Sequence, residues 1–269
     1  MANRSYRRRR SSVLVPVLLL AAVAACCGWL LFRAYYPGEA TPTEPPVQTD
    51  PVTPAATDPA TEAATQAQAE IPASLLELME KNPETAEFVM NYPNHLERPF
   101  DITTINRSAG IPLFLQWDQR WGYYVYGTDV LALTGCGPTC MAMAGYYLTG
   151  ESRFSPDQMA QFATENNYYS WGNGTKWTFV TYGAEALGLQ SKELILMESV
   201  IVEQVQAGHP VVINVGPGDF TEHGHFLILS GYEDGMFRVN DPNSIIRSET
   251  LWSYETLEPQ IRNIWALWV

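Results

Sequence analysis

Hydrophobic and polar positions change rhythm three times along this chain. Residues 13–32 form an unbroken apolar run of 20 residues without a charge, long enough to cross a bilayer as one helix. From Pro37 to about Glu70 the apolar pattern gives way to Pro, Thr, Ala and acids, with no aromatic residue. Such a stretch buries too little apolar surface to offset the entropy of ordering, and is expected to be a disordered stalk. Prolines extend it; at about 3.1 Å per residue it reaches on the order of 100 Å.

Periodic burial resumes at residue 71. Helical spacing predicts a short amphipathic helix over 74–81, broken by Asn82-Pro83, and a second over about 83–91. Residues 111–115 read as a short strand leading into Gln116-Trp117-Asp118. After Gly135-Cys136-Gly137-Pro138-Thr139 a helix is expected over 138–149, with Pro138 in its first turn and Gly150 as its stop. Ser155-Pro156-Asp157-Gln158 has the form of a capping box that opens a helix to about Glu165. A Gly/Asn loop at 171–174, a helix over 177–187 stopped by Gly188, and a helix over 199–207 ended by Gly208 and Pro210 complete this half.

The period then shortens to two. Strands are expected over 211–215, 225–231, 236–240 and 261–268, with Pro217-Gly218-Asp219 as a loop. Helices first and antiparallel strands after define an α+β class, whereas a doubly wound parallel sheet needs strands alternating with helices. No internal repeat interrupts this order.

Charge orients the chain. Arg4 and Arg7 to Arg10 precede the apolar run and only Arg33 follows it closely. This asymmetry places the N-terminus in the cytoplasm and everything beyond residue 33 outside, so the expected location is the cell membrane, single-pass, with an extracellular domain. A lipoprotein signal ending at Cys26 is the competing reading, but apolar sequence continues through Trp29-Leu30-Leu31-Phe32. The resulting plan is a basic tail (1–12), a transmembrane anchor (13–32), a stalk (33–70), a helical extension (71–110) and a catalytic-type domain (111–269). Residues 71–269 hold 10 Lys and Arg against 23 Asp and Glu. Nucleic acid and anionic headgroups are therefore poor partners for that part.

Cys136 and Cys140 are the two cysteines of the domain. Four apart on one helix, they are badly placed for a disulfide. Free thiols on the outside of a cell argue that one is used. Cys136 stands at the helix N-terminus, where unpaired N–H groups and the helix dipole favour thiolate; Cys140 reads as core. Of the four histidines only His225 begins a strand, in Gly224-His225-Phe226; His223 would share its face and is the main competitor. His209 reads as a helix-end residue and His95 as a loop residue. Asp241, in Asn240-Asp241-Pro242, is the candidate to orient the imidazole, with Asn240 and Asn243 as weaker ones. Gln116 is a candidate oxyanion donor. The tryptophans at 117, 121, 171 and 177 read as core and cleft wall. No cofactor is expected, and a metal site built from Cys136, Cys140 and histidines has weak ligand spacing.

Whether Asp241 can meet His225 depends on strand parity. A two-residue turn at Asp234-Gly235 pairs Asp241 with Ile228, on the face opposite His225. A three-residue loop with Gly235 as a bulge pairs Tyr232 with Met236 and Asp241 with Leu227. Asp241 then becomes the diagonal neighbour of His225, within reach of the imidazole. The three-residue loop is the expectation.

Gln116-Trp117-Asp118, the Gly135–Thr139 motif, Gly224-His225-Phe226 and Asn240-Asp241-Pro242 together resemble the cysteine peptidase-like family related to bacteriocin-processing, double-glycine leader peptidases, in the papain-like superfamily. The resemblance covers about residues 111–269 and implies a papain-like fold, with Cys136 as nucleophile, His225 as base and Asp241 as orienter. Two departures stand out. No ATP-binding cassette or multi-span region accompanies the domain, which points away from leader processing coupled to export. Gln116 lies 20 residues ahead of Cys136, and Val130 holds the nearer position that the oxyanion glutamine occupies in exporter-linked members. The expected function is a membrane-anchored extracellular hydrolase of peptide or amide bonds, acting on a peptide or cell-wall-derived substrate. A catalytically silent peptide- or wall-binding module and a cysteine acyl transferase are the alternatives.

Overall fold

The computed structural model describes residues 70–96, 99–172 and 174–269. The basic tail, the apolar run and nearly all of the stalk lie outside the described residues. No helix among the described residues is long and apolar enough to cross a membrane.

The described chain opens with α1 (Ala73–Lys81), a 3-10 turn at Pro83–Thr85 and α2 (Ala86–Asn91). A small hairpin, β1 (Val125–Tyr126) and β2 (Asp129–Val130), leads into α3 (Leu131–Thr134) and the central α4 (Cys136–Thr149). Then come α5 (Pro156–Glu165), a second hairpin β3 (Tyr169–Ser170) and β4 (Gly174–Thr175), and α6 (Tyr182–Ala186). The C-terminal part runs β5 (Gln190–Glu193), α7 (Glu198–Gln206), β6 (Val211–Val215), β7 (His225–Glu233) and β8 (Met236–Asn240). It finishes with α8 (Ile245–Glu249), β9 (Leu251–Trp252), α9 (Tyr254–Leu257) and β10 (Ile261–Trp268).

Six of these strands form one antiparallel sheet in the order β5-β10-β6-β7-β8-β9. Both of its faces are covered, which is why every residue of β6 is buried. On one face Val212, Phe226, Ile228 and Trp265 pack with α4; on the other Ile213, Leu227 and Val239 pack with Ile201 and Val205 of α7. Residues 137–146 of α4 are all buried, as expected of a helix apolar on every side. Gly150 takes the left-handed conformation (φ 75°) that ends it. The α+β class and the principal helices and strands agree with the reading of the sequence.

Several expectations are corrected. Residues 111–115 form no strand: Asn240 Nδ2 bonds the Ile111 carbonyl and Gln116 N bonds the Pro242 carbonyl in place of a ladder. The helix over 177–187 is broken into a 3-10 turn and α6: Thr181 leaves helical geometry (φ −100°, ψ −88°), and the Ser191 hydroxyl takes the Val180 carbonyl. Ser155 precedes α5 without making a capping bond; its hydroxyl bonds the Asp157 carboxylate at 2.5 Å. β5, β9 and the short helices α8 and α9 went unanticipated. β5 is a polar edge strand, and edges are kept polar to discourage pairing with other chains.

The hairpin joining β7 and β8 reaches the expected result by another route. Its turn has two residues, with Glu233 paired to Met236 and both Asp234 (φ 51°) and Gly235 (φ 80°) left-handed, as a type I′ turn requires. The three-residue loop is therefore wrong. A register shift between Leu229 and Gly231 leaves Ser230 as the extra residue, so that Leu229 pairs with Val239 and Ile228 with Asn240. One inserted residue reverses the parity of everything beyond it. Continued by one step, this register sets Asp241 across from Leu227, diagonal to His225.

Candidate active site

The first residue of β7, the residue following β8 and the first residue of α4 meet at one end of the sheet. His225 Nε2 lies 2.7 Å from Asp241 Oδ1. With Nε2 engaged by Asp241, Nδ1 is the ring atom left to face Cys136, whose thiol is lowered by the imidazole and by the backbone N–H groups of Phe226 and Gly137. Cys136 is half-buried, whereas His225 (7% exposed) and Asp241 (0%) are enclosed. Cys136 is thus the least enclosed of the three residues.

Gly137 lets the start of α4 lie against the neighbouring hairpin. A Cβ there would lie 2.5 Å from Cβ and Oγ1 of Thr175 on β4. Thr175 is in turn fixed by a 2.9 Å bond to the Tyr126 hydroxyl. A helix entering the core at this angle admits only glycine beside Cys136.

Burial by itself would raise the Cys136 thiol, but the hydrogen bond and charge of His225 outweigh it, and the thiol is held below its ordinary value. Burial likewise opposes charge on His225, yet the Asp241 carboxylate and the Cys136 sulfur push the imidazole up to about 10. Asp241 is also enclosed, and His225, Arg247 and the Asn243 N–H keep it below the ordinary carboxylate range. All three shifts act in the direction of a thiolate–imidazolium pair. Cys140 is buried and its thiol is pushed well up, first by burial and then by Cys136 and Asp241. It belongs to the core, as expected.

Gln116 is brought in, although its position differs from a free oxyanion donor. It is 4% exposed, and its Nε2 donates to the Ala132 carbonyl at 2.6 Å. Through its own N–H it also holds the Pro242 carbonyl at 2.7 Å. It therefore bridges the Asp241 turn to the segment just before Cys136, with one amide hydrogen committed and one remaining.

The competitors fall away from the imidazole. His223 is exposed, His209 bonds Gln204 at 2.9 Å, and His95 stacks on Tyr123. Asn240 is occupied with Ser230 and Ile111, and Asn243 contributes its backbone N–H to Asp241 Oδ1 at 2.8 Å. Trp121 is core, but Trp171 is 75% and Trp177 45% exposed. Among the described residues no group of three or more His, Cys, Asp or Glu could hold a metal ion.

Sequence reasoning missed Arg247, whose Nε lies 2.5 Å from Asp241 Oδ2. A cation six residues after Asp241, just behind Asp241-Pro242-Asn243-Ser244, was the available signal. The unrecognised α8 hid it.

The chain belongs to the Peptidase_C39 like family, whose sequence profile matches residues 108–268, more than half of its length. The α+β fold is of the papain-like kind found in that family. Similar solved structures include the peptidase domain of Streptococcus ComA, a bifunctional ABC transporter of a quorum-sensing pathway. It is 18% identical over 54% of this chain and 96% of that one, with a TM-score of 0.39. A C39-like peptidase from Bacillus anthracis is 15% identical over 64% of this chain and 98% of that one, with a TM-score of 0.38. A double glycine motif protease from an AMS/PCAT transporter, crystallised with its leader peptide, is 16% identical over 59% and 91%, with a TM-score of 0.35. No curated protein matches the chain.

Proposed function

We propose that this chain is a membrane-anchored cysteine hydrolase of peptide or amide bonds, with Cys136 as nucleophile, His225 as acid and base, and Asp241 as orienting carboxylate. The observation that carries the reading is the enclosed His225–Asp241 pair at 2.7 Å, with the half-buried Cys136 at the start of α4 and its thiol lowered by the same imidazole. An inert core cysteine needs no such neighbours.

The Cys136 thiolate attacks the substrate carbonyl carbon, forming a C–S bond and a tetrahedral oxyanion. N–H groups at the start of α4, together with the uncommitted amide hydrogen of Gln116, are the donors available to that oxygen. The C–N bond breaks as the His225 imidazolium delivers its proton to the leaving amine. Water then attacks the thioester, His225 accepts the water's proton, and the C–S bond breaks to restore the thiolate. Asp241 holds the ring and stabilises its cationic form throughout. Anchoring through residues 13–32 and an extracellular domain rest on the apolar run and the arginine asymmetry.

The test is alkylation by iodoacetamide below pH 7, followed by activity against peptide libraries. Cys136 is expected to react far faster than free cysteine, and His225→Gln to lose that advantage. Cys136→Ala and His225→Gln should abolish turnover to a similar degree, Asp241→Asn should leave residual activity, and Cys140→Ser and His223→Gln should change little. Full turnover by Cys136→Ala on any identified substrate would end the hydrolase reading. A reactive thiol that releases product only onto an added amine would make the chain a transferase.

A further inference from the structure

We propose that Arg247 is a positioning residue for the Asp241–His225 pair, and that the extension preceding the family-matched segment holds it in place through Asn82 and Glu84. The proposal deepens the hydrolase reading and rests on it for its consequence in turnover.

A carboxylate that meets its histidine through one oxygen is free to swing about its own axis. Here Oδ1 accepts from His225 Nε2 at 2.7 Å and Asn243 N at 2.8 Å, while Oδ2 accepts from Arg247 Nε at 2.5 Å. The arginine holds the otherwise free oxygen and so fixes the plane in which Oδ1 faces the ring. Its side chain is 27% exposed, so its charge is partly screened by water. Geometry rather than field is its main contribution.

Arg247 sits in α8, a five-residue helix that cannot hold its own place. Its N-cap, Ser244, accepts from Arg247 N at 3.1 Å and donates to Glu84 Oε1 at 2.5 Å. Glu84 Oε2 accepts from Ile245 N at 2.7 Å, and Asn82 Nδ2 donates to the Asn243 carbonyl at 2.6 Å. Asn82 and Glu84 lie in the turn between α1 and α2, which Leu75, Leu78, Phe88 and Val89 pack against Ala132, four residues before Cys136. The extension therefore grips both the Asp241–Arg247 turn and the segment that carries the thiol. All of it precedes the matched residues 108–268.

The charged groups that bear on His225 are Asp241 and Cys136; on Asp241 they are His225 and Arg247, with Cys140 beside it and Glu84 behind α8. Deleting Arg247 has opposite effects under two views. Loss of a nearby positive charge alone would make the imidazolium more stable. Loss of a properly aimed carboxylate makes it less stable.

The experiment is NMR titration of the full chain, labelled at histidine Cε1, in wild type, Arg247→Met, Arg247→Lys and Glu84→Gln. The chain has four histidines, and His225→Gln assigns the signal. The His225 midpoint, about 10 in the wild type, is expected to fall by about one pH unit or more in Arg247→Met, equivalent to about a tenfold change. It should fall less in Arg247→Lys and Glu84→Gln, and the rate of Cys136 alkylation at pH 6 should drop in the same order. Far-UV circular dichroism confirms that each variant is folded; should Arg247→Met not fold, the other two carry the same test. A midpoint that rises or stays put in the folded variants overturns the proposal. The titration needs no substrate, so an inert thiol beside a shifted His225 would sink the hydrolase and spare the positioning role. A reactive thiol indifferent to Arg247 would do the reverse.

Discussion

At the scale of single residues, the chemistry lies in a proton arrangement that burial alone would forbid. Two enclosed titratable groups beside a half-buried thiol are tolerable because each has partners: Asp241 has His225, Arg247 and the Asn243 N–H, and the Cys136 thiol is lowered by His225 and two backbone N–H groups. Removing one member of such a set strands the others, at about 3–5 kcal/mol for a buried ion pair. The same arrangement sets a pH signature. His225 is raised above its ordinary 6.5, so its contribution to stability is complete below 6.5 and lost as pH climbs towards about 10. Cys136 is lowered from 9.0, so its contribution is complete above 9.0 and lost as pH falls through the lowered value. When the pair is ionised at neutral pH, the folded and unfolded states hold equal numbers of its protons between 6.5 and 9.0. The stability difference between wild type and Cys136→Ala/His225→Gln, measured by urea unfolding, should therefore be flat across that window and decline on both sides. A difference falling steadily from pH 6.5 would mean that the thiol is still protonated at neutral pH, and would remove the ion pair.

At the scale of elements, two local devices aim the site: the glycine that lets α4 enter beside β4, and the bulge at Ser230. Gly137→Ala should gain up to about 1 kcal/mol of helix propensity. It also drives a methyl to 2.5 Å from Thr175, whose own position is held by Tyr126. Overpacking of that kind costs about 1–3 kcal/mol. Thermal unfolding should show Gly137→Ala to be destabilised, with slower alkylation of Cys136 as the helix end shifts; a more stable variant would show that the hairpin gives way freely. The glycine was legible in the sequence as a companion of the thiol, but its reason was not, because Thr175 lies 38 residues away. The bulge was not legible at all. The sequence held the question of parity and the need for one extra residue, yet Asp234-Gly235 suits a two-residue turn too well to supply it. Ser230 took up the odd residue because its hydroxyl finds Asn240 Oδ1 at 2.8 Å.

At the scale of the whole molecule, the extension and the matched segment share one interior. Leu75 and Val89 are fully enclosed against the stretch that leads to Cys136, and each such side chain contributes about 1.5–3 kcal/mol by burial. Residues 70–269 fall within one compact unit. The proposed topology sets this unit outside the membrane at the end of an acidic, proline-rich stalk. Protease shaving of intact cells should then release a fragment beginning within residues 37–70 and carrying the reactive thiol. A domain protected in intact cells and cut only after lysis would place it on the other side.

The sequence by itself determined the α+β class and the order of the main helices and strands, and it picked out the three candidate residues that the structure brings together. Those are local facts: a thiol at a helix start, a histidine opening a strand, a carboxylate closing the next. Tertiary structure decided how they meet. The bulge, the commitment of Gln116 to Ala132 and the grip of Glu84 on α8 join residues 10 to 161 positions apart. No periodicity records such pairings, because each is selected by the packing that surrounds it and not by the residues that flank it.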